Sequence, residues 1–176
     1  DGVINDTGGV DILVNNAGST RRGPAETITS ADWYFVLNLN VTAAYTLCRA
    51  FARERIKDRK KGKIINLASV MSETIREDNA PYAASKGGLT ALARSVARAY
   101  GKDNIKAFVI APGFTRTEMA ESFIAEYGEE RVLNEIALNE LTRPQDLAPL
   151  VALLCSGLMD HATGTTIDVN AGSYMH

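Results

Sequence analysis

Cysteine and histidine are scarce in this chain, which has 176 residues and two of each. Cys48 and Cys155 lie far apart and outside any CxxC pattern, so they favour free thiols in a reducing cytoplasm over a disulfide or a redox site. His161 and His176 are too few to supply a metal cluster or a Ser-His-Asp arrangement. The sequence therefore predicts neither a metal site nor a serine hydrolase.

Long apolar runs and long blocks of like charge are also missing. No run approaches the ~18 to 20 apolar residues that a membrane span requires, and no charge block suggests a nucleic-acid surface. Nothing near Asp1 has the basic start and apolar core of a signal peptide. Hydrophobic residues make up 45% of the chain, and 19 basic and 21 acidic side chains give a net charge of −2. We expect one cytoplasmic domain that binds small molecules or proteins, and neither membranes nor nucleic acid.

Short apolar runs alternate with helical patterns, the order typical of an α/β fold with a doubly wound parallel sheet. Four strands are expected, at residues 10–15, 64–68, 106–111 and 165–170. The first contains Ile12, Leu13 and Val14 in succession, which predicts a strand buried on both faces. Long helices are expected at residues 30–58 and 82–100, where apolar residues recur at spacings of three and four.

The patterns near the carboxyl end are less regular. One or two short helices are expected between Phe114 and Leu141, as a mobile cover. A further helix begins at Arg143-Pro144, since proline is tolerated in the first turn. Pro149 lacks the N–H that would bond the carbonyl of Gln145, so we expect either a late helix start or a kink there.

Unusual polar residues follow the predicted strands. The segment Asn15–Gly18, Ser69 and Pro112-Gly113 all lie just past carboxyl ends of strands, where open α/β sheets bind ligands. Asn40 interrupts the apolar stripe of the first long helix, and on sequence alone a buried asparagine with satisfied hydrogen bonds is the favoured interpretation.

Tyr82 and Lys86 are four residues apart on a helix and therefore share a face. An ammonium within about 5 Å favours the phenolate, so Lys86 is expected to lower the tyrosine pKa from its ordinary value of about 10. Tyr82 could then exchange a proton with a substrate. A hydroxyl such as that of Ser69 could hydrogen-bond the substrate oxygen while charge develops on it.

Taken together, these motifs resemble the short-chain dehydrogenase/reductase family, whose fold is Rossmann-like. The matching segments are NNAG at 15–18, Asn40, Ser69, YAASK at 82–86, APGFTRT at 111–117 and TGTTIDVNAG at 163–172. Within the family, VDILVNNAGSTR and DVNAGSYM look most similar to bacterial 3-oxoacyl-[acyl-carrier-protein] reductases. Sugar and polyol dehydrogenases carry much the same tail, so they remain an alternative.

The resemblance implies hydride transfer between NAD or NADP and a carbonyl or secondary-alcohol carbon, on a substrate that an acyl carrier protein could carry. The implied catalytic residues are Asn40, Ser69, Tyr82 and Lys86. The implied cofactor contacts are Asn15, Ala17, Gly18, Tyr82, Lys86, Pro112, Gly113, Thr115 and Thr117. Asn40 is expected to hold a water that links Lys86 to solvent. Family members also pair their long helices across subunits, which implies a homo-oligomer, a dimer or a tetramer.

The chain departs from the family at its start. Family members open with a strand, a glycine-rich TGxxxGxG turn and two further strand and helix units, roughly 70 to 80 residues that cradle the adenine half of the dinucleotide. We therefore expect residues 1–176 to form the C-terminal portion of a single Rossmann domain that is N-terminally incomplete. The NAD or NADP selector lies in the absent part, and the first strand would be an unprotected sheet edge. A catalytically inactive fragment or an assembly scaffold remains a further alternative.

Two basic segments have open interpretations. Arg53–Lys63 contains seven basic and two acidic residues, which could attract an acidic carrier protein, although a solvated helix end is favoured. Arg21-Arg22, after the NNAG segment, could touch an anionic substrate or cofactor group, and a surface loop fits the pair at least as well.

Overall fold

Four parallel strands form the sheet at the centre of the computed structural model, which describes residues 2–74 and 76–175. They are β1 (Ile12–Asn15), β2 (Gly62–Leu67), β3 (Ile105–Pro112) and β4 (Thr166–Val169). Their order in the sheet follows the sequence, β1-β2-β3-β4. Asn15 is level with Asn66 of β2, and Val109 of β3 is level with Thr166 of β4. The four expected strands are thus confirmed, with boundaries shifted by one or two residues.

Helices connect the strands. They are α1 (Gly2–Thr7), α2 (Ser30–Leu37), α3 (Ala43–Lys57), α4 (Ala80–Tyr100), α5 (Glu118–Tyr127), α6 (Glu129–Leu133) and α7 (Pro144–Ser156). The first long helix of the sequence analysis is α2 and α3 joined by a π-helical segment, Asn38–Thr42. There the N–H of Ala43 donates to the carbonyl of Asn38, five residues back. Two short helices, α5 and α6, occupy the region expected to form a cover.

Local side-chain bonds explain where two of these helices begin. The hydroxyl of Thr29 accepts the N–H of Asp32 at 3.1 Å and caps α2. The N–H of Arg143 donates to the carboxylate of Asp146 at 2.7 Å, which closes a capping box at α7. Helix α7 runs continuously from Pro144 through Pro149, so the expected late start is wrong.

Both faces of the sheet pack against helices, as the doubly wound arrangement requires. Ile64 belongs to a cluster with Phe51 of α3 and Val96 of α4. Its neighbour Ile65 belongs to a cluster on the other face, with Leu154 of α7. Because adjacent strand residues point to opposite faces, one apolar run builds two cores.

Strand β1 is an edge strand, as expected, and pairs with β2 alone among the strands that the structure describes. Leu13 packs into the core on the α3 side. Ile12 and Val14, in contrast, are each 41% exposed. The prediction of burial on both faces is therefore wrong for β1, because among the described residues nothing buries the face that carries Ile12 and Val14.

None of the described helices combines the length and the apolar character that crossing a bilayer demands.

Gly62, the first residue of β2, gives a test of core packing. A Cβ at this position would lie 2.7 Å from a ring carbon of buried Phe51. We expect Gly62→Ala to lower the free energy of unfolding by about 1–3 kcal/mol, measured by urea denaturation. Gly101→Ala is the control, since Gly101 has helical dihedrals and no heavy atom would contact the new methyl group. Equal stabilities of the two variants would contradict this packing.

Candidate active site

A crevice of about 1010 Å³ opens at the carboxyl ends of the strands. It is lined by residues that follow β1, β2 and β3, together with the start of α4 and parts of α5 and α6. The crevice brings together these residues of the sequence analysis: Gly18, Ser69, Tyr82, Lys86, Pro112, Gly113, Thr115 and Thr117. Asn15, Ala17 and Asn40 are not part of the lining, and their roles toward a cofactor or substrate stay predictions.

Ser69 is held at the end of β2 by its own backbone surroundings. Its hydroxyl accepts the N–H of Met71 at 3.2 Å, and its carbonyl accepts the hydroxyl of Ser72 at 2.8 Å. These bonds cap a short 3₁₀ turn, Val70–Ser72, and fix the buried Ser69 side chain in the crevice wall. Hydrogen bonding to Ser69 lowers the pKa of Tyr82, so the two hydroxyls act on one another.

Lys86 is a buried cation in α4, with 4% of its surface exposed. Its ammonium Nζ donates to the main-chain carbonyl of Leu67 at 2.7 Å and lies 5.5 Å from the centre of the Tyr82 ring. Burial lowers the pKa of Lys86 from 10.5 to about 8, because the charged form loses its hydration. The helix spacing therefore does place the lysine next to the tyrosine.

The pKa of Tyr82 lies above its ordinary value, contrary to expectation. Burial raises it, and this effect outweighs the hydrogen bond from Ser69 and the positive charge of Arg22, both of which lower it. The lysine charge is directed at the carbonyl of Leu67 instead. Spacing on the helix predicted the contact between the two side chains but not the cost of desolvating the phenolate.

Asn40 lies outside the crevice lining and stabilises the crevice wall through hydrogen bonds. Its amide nitrogen donates to the carbonyl of Ser19 at 2.9 Å and to the hydroxyl of Ser85 at 2.8 Å, while its oxygen accepts the N–H of Ser19 at 2.9 Å. Both amide hydrogens are thus used within the protein. The geometry agrees with a buried asparagine whose hydrogen bonds are satisfied, and a water held by Asn40 stays a prediction.

Two glycines allow close approach at the crevice. A Cβ on Gly18 would lie 3.3 Å from the side-chain oxygen of Asn40 and 3.4 Å from Nζ of Lys86. A Cβ on Gly113 would lie 2.9 Å from Cα of Asn170. Side chains at these positions would press on the lysine or on the backbone after β4, so the crevice keeps its shape because both are absent.

Asn15 faces the interior of the protein rather than the crevice. Its amide nitrogen donates to the side-chain oxygen of Asn66 at 2.8 Å and to the sulfur of Cys48 at 3.4 Å. Its neighbour Asn16 lines the crevice, as expected of the segment Asn15–Gly18, although it was not among the implied cofactor contacts. The alternation of side chains along a strand could have shown that Asn15 points inward. Asn15 lies on the same face of β1 as Leu13, which packs toward α3.

A family model described as enoyl-(acyl carrier protein) reductase matches residues 1–174. The chain belongs to the short-chain dehydrogenase/reductase family. This short-chain dehydrogenase/reductase is 36% identical over 173 residues to the 3-oxoacyl-[acyl-carrier-protein] reductase FabG of Haemophilus influenzae, a match that covers 98% of the chain and 71% of the relative. It is 35% identical over 170 residues to nodulation protein G of Rhizobium sp. strain N33, covering 97% of the chain and 69% of that protein.

A solved structure agrees with the fold of this short-chain dehydrogenase/reductase. It is a gluconate 5-dehydrogenase from Burkholderia cenocepacia J2315 in complex with NADP and tartrate, 30% identical, with a TM-score of 0.94. The match covers 98% of this chain and 68% of that one. The family is one of oxidoreductases, so the chain is of the dehydrogenase/reductase type.

The thiols of this short-chain dehydrogenase/reductase are free. Cys48 is buried, and burial raises the pKa of its thiol from 9.0 to about 11, which makes it a poor nucleophile near neutral pH. In the part of the chain that the structure describes, no cluster of three or more His, Cys, Asp or Glu side chains could hold a metal ion.

The buried Lys86 predicts a specific pH dependence of stability. In the unfolded chain this lysine keeps its proton up to about pH 10.5, whereas in the folded chain it releases it near pH 8. Between these values the unfolded state binds more protons, so the free energy of unfolding rises with pH. We expect urea midpoints measured at about pH 7.5 and about pH 9.5 to show a rise in the parent protein that is much smaller in Lys86→Met.

The control for this measurement is Lys102→Met, which removes an exposed lysine from the turn after α4. It should keep the full rise. Burial also lowers the pKa of Lys63, but that residue is present in every variant and cancels in the comparison. An identical rise in Lys86→Met and in the parent protein would contradict the assignment.

Proposed function

We propose that this chain carries the catalytic centre of an oxidoreductase that transfers hydride between NAD(P) and a carbonyl or secondary-alcohol carbon. The observation that carries the proposal is the meeting of Ser69, Tyr82 and Lys86 in one crevice at the carboxyl ends of the strands. A phenol, a hydroxyl and a buried cation around one pocket fit an acid and base reaction at a substrate oxygen.

The crevice fits the nicotinamide half of such a cofactor. Its volume of about 1010 Å³ leaves room for a substrate and part of a dinucleotide. Lys86 lies within reach of a ribose placed beside Gly18, because that glycine has no side chain to block the approach. Thr115 and Thr117 carry hydroxyls on the loop after β3. When bound there, the nicotinamide would supply or accept the hydride.

The protein's own part in the reaction is to handle the proton. Because burial raises its pKa, Tyr82 is protonated near neutral pH and can donate its phenolic proton to a carbonyl oxygen. Ser69 can donate a hydrogen bond to the same oxygen as it gains negative charge. The carbonyl carbon gains the hydride and its oxygen gains the proton, which gives the alcohol. Oxidation of an alcohol returns the proton to Tyr82.

Lys86 and Asn40 support this proton transfer. Lys86, with a pKa of about 8, can gain and lose a proton near neutral pH, which suits a group that resupplies Tyr82. Asn40 bonds Ser85, whose hydroxyl in turn donates to the main-chain carbonyl of Tyr82 at 2.7 Å. Asn40 therefore fixes the first turn of α4, and its proposed water link to Lys86 is an additional role.

The substrate assignment has two candidates. A 3-oxoacyl thioester on an acyl carrier protein is supported by curated relatives such as the FabG of Haemophilus influenzae. A sugar acid, polyol or other secondary alcohol is supported by the gluconate 5-dehydrogenase whose fold the chain shares.

The remaining parts of the proposal concern the whole protein. We propose that the chain is the C-terminal portion of a longer Rossmann domain, whose preceding strand and helix units would pair with the edge of β1 and cover the face where Ile12 and Val14 are exposed. That part would hold the adenine half and select NAD or NADP. We further propose a cytoplasmic location and a homo-oligomer, a dimer or a tetramer. The oligomer is supported by Tyr45 and Leu47 of α3, each 50% exposed.

Tyr82→Phe tests the proton-transfer role. We expect kcat to fall by about 10²- to 10⁴-fold, because the phenolic proton is lost, while NADPH affinity in a fluorescence titration stays within about twofold. Tyr34→Phe, an exposed position on α2, serves as the matched control and should retain full activity. Substantial turnover by Tyr82→Phe would remove the assignment, and an absence of saturable NADH and NADPH binding would favour the scaffold alternative.

A substrate panel separates the two substrate candidates. We expect steady-state rates with a 3-oxoacyl thioester, a polyol, a cyclic ketone and an oxo sugar acid to differ by more than about tenfold in kcat/KM, since specificity arises from transition-state contacts. A strong preference for the thioester is the expected result for a 3-oxoacyl-[acyl-carrier-protein] reductase. Preference for any of the others would assign the second candidate.

A further inference from the structure

Arg22 lies on the loop that follows β1 and lines the crevice. The carbon of its guanidinium group lies 4.3 Å from the centre of the Phe123 ring, which belongs to α5 and is 4% exposed. A buried ring is a fixed platform, and cation–π attraction to its face holds the guanidinium group in place.

The backbone on both sides of Arg22 is anchored to the residues just before α4. The hydroxyl of Thr20 donates to the side-chain oxygen of Asn79 at 2.6 Å, and the N–H of Gly23 donates to the carbonyl of Asp78 at 2.9 Å. Two hydrogen bonds within four residues hold the loop against Asp78 and Asn79, which also line the crevice. The guanidinium is therefore preorganised by its loop as well as by the phenyl ring.

Arg22 differs from its neighbours in having no carboxylate of its own. Arg21 pairs with Asp32 at 3.3 Å, and Arg76, also in the crevice wall, pairs with Glu135. Across residues 2–74 and 76–175, no carboxylate forms an ion pair with Arg22. The positive charge of Arg22 is therefore not paired with a described carboxylate. The residue lines a crevice that is open to a ligand.

The charge of Arg22 reaches the reaction centre, since it lowers the pKa of Tyr82. Glu77 and Asp78 also line the crevice. Their negative charges disfavour a dianionic phosphate more than a singly charged carboxylate.

We propose that Arg22 binds the carboxylate of the substrate through paired N–H groups, so that the hydride acceptor is an oxo acid and not a neutral thioester. Guanidinium and carboxylate groups match in two parallel hydrogen bonds, which give both affinity and orientation. This inference rests on the proposed hydride transfer, and it selects the substrate class for that reaction.

The first test uses the native protein with NADPH and two matched substrates, a six-carbon oxo acid and its methyl ester. The parent protein should prefer the acid in kcat/KM by more than about tenfold. Arg22→Gln should lower kcat/KM for the acid by about 10- to 100-fold and change that for the ester less than about twofold, and Arg22→Lys should restore part of the preference.

Arg21→Gln is the matched control, because Arg21 is on the same loop but outside the crevice lining. It should leave both substrates unchanged. Equal losses for acid and ester in Arg22→Gln would overturn the proposal, as would loss of the acid preference in Arg131→Gln alone, since Arg131 is the other crevice arginine without a carboxylate partner among the residues described.

A pH profile gives a readout that a purely structural role would not move. In the oxidation of a neutral secondary alcohol, Tyr82 accepts the proton of the substrate hydroxyl. The rate therefore rises with pH as the phenol of Tyr82 loses its proton. Removing the Arg22 charge raises the pKa of Tyr82, because that charge favours the phenolate. The rising limb should therefore move to higher pH in Arg22→Gln and stay in place in Arg21→Gln. An unmoved limb would contradict the electrostatic link.

Calorimetric titration with butyrate, a singly charged carboxylate, separates failure of this inference from failure of the proposed function. The parent protein and Arg21→Gln should bind butyrate saturably, and Arg22→Gln should bind it at least about tenfold more weakly. If no carbonyl compound is turned over but this difference is seen, the anion site is supported and the proposed hydride transfer is not. Equal butyrate binding by all three proteins, or saturable binding of inorganic phosphate without binding of butyrate, would overturn the carboxylate assignment.

Discussion

The hydrogen bond from the ammonium of Lys86 to the carbonyl of Leu67 is the contact on which the rest of the site depends. It joins α4 to the end of β2 inside the protein, 2.7 Å apart. Ser69 follows Leu67 by two residues, and Tyr82 precedes Lys86 by one helical turn, so this bond joins the two segments that carry the hydroxyl groups. A buried ammonium without such an acceptor would be strongly destabilising, and the carbonyl at the strand end supplies one.

The scaffold keeps that bond in place by packing on both sides. Ile64 and Ile65 anchor β2 to opposite cores, one built with α3 and α4 and the other with α7. Asn15 and Asn66 join β1 to β2 by a side-chain bond near the crevice. Movement of β2 toward either face would compress one core and open the other, so the position of Leu67 is fixed by packing before any ligand arrives.

Sequence patterns predicted the order of strands and helices well, because apolar periodicity reports burial directly. They also placed Ser69, Tyr82 and Lys86 in one crevice, since the carboxyl ends of parallel strands meet at one sheet edge. They missed what depends on three-dimensional surroundings. The raised pKa of Tyr82 reflects desolvation, the exposure of Ile12 reflects an uncovered face of β1, and α1 is too short to show a period. The sequence could not decide whether Arg22 belongs to a surface loop or to the binding site. Its cation–π partner, Phe123, is 101 residues away in the sequence.

The π-helical segment Asn38–Thr42 also sets the rotational phase of the helix that follows it. The wide turn takes up one residue more than a turn of regular α-helix, so each residue after it lies about 100° about the helix axis from where an unbroken α-helix would place it. Asn40 can therefore turn toward Ser19 and Ser85 while Cys48 and Phe51, farther along, still face the sheet. If the segment tightened to a regular α-helix with no residue removed, the face of α3 that carries Cys48 and Phe51 would rotate away from β1 and β2. The wide turn thus lets one continuous helix serve two differently directed surfaces.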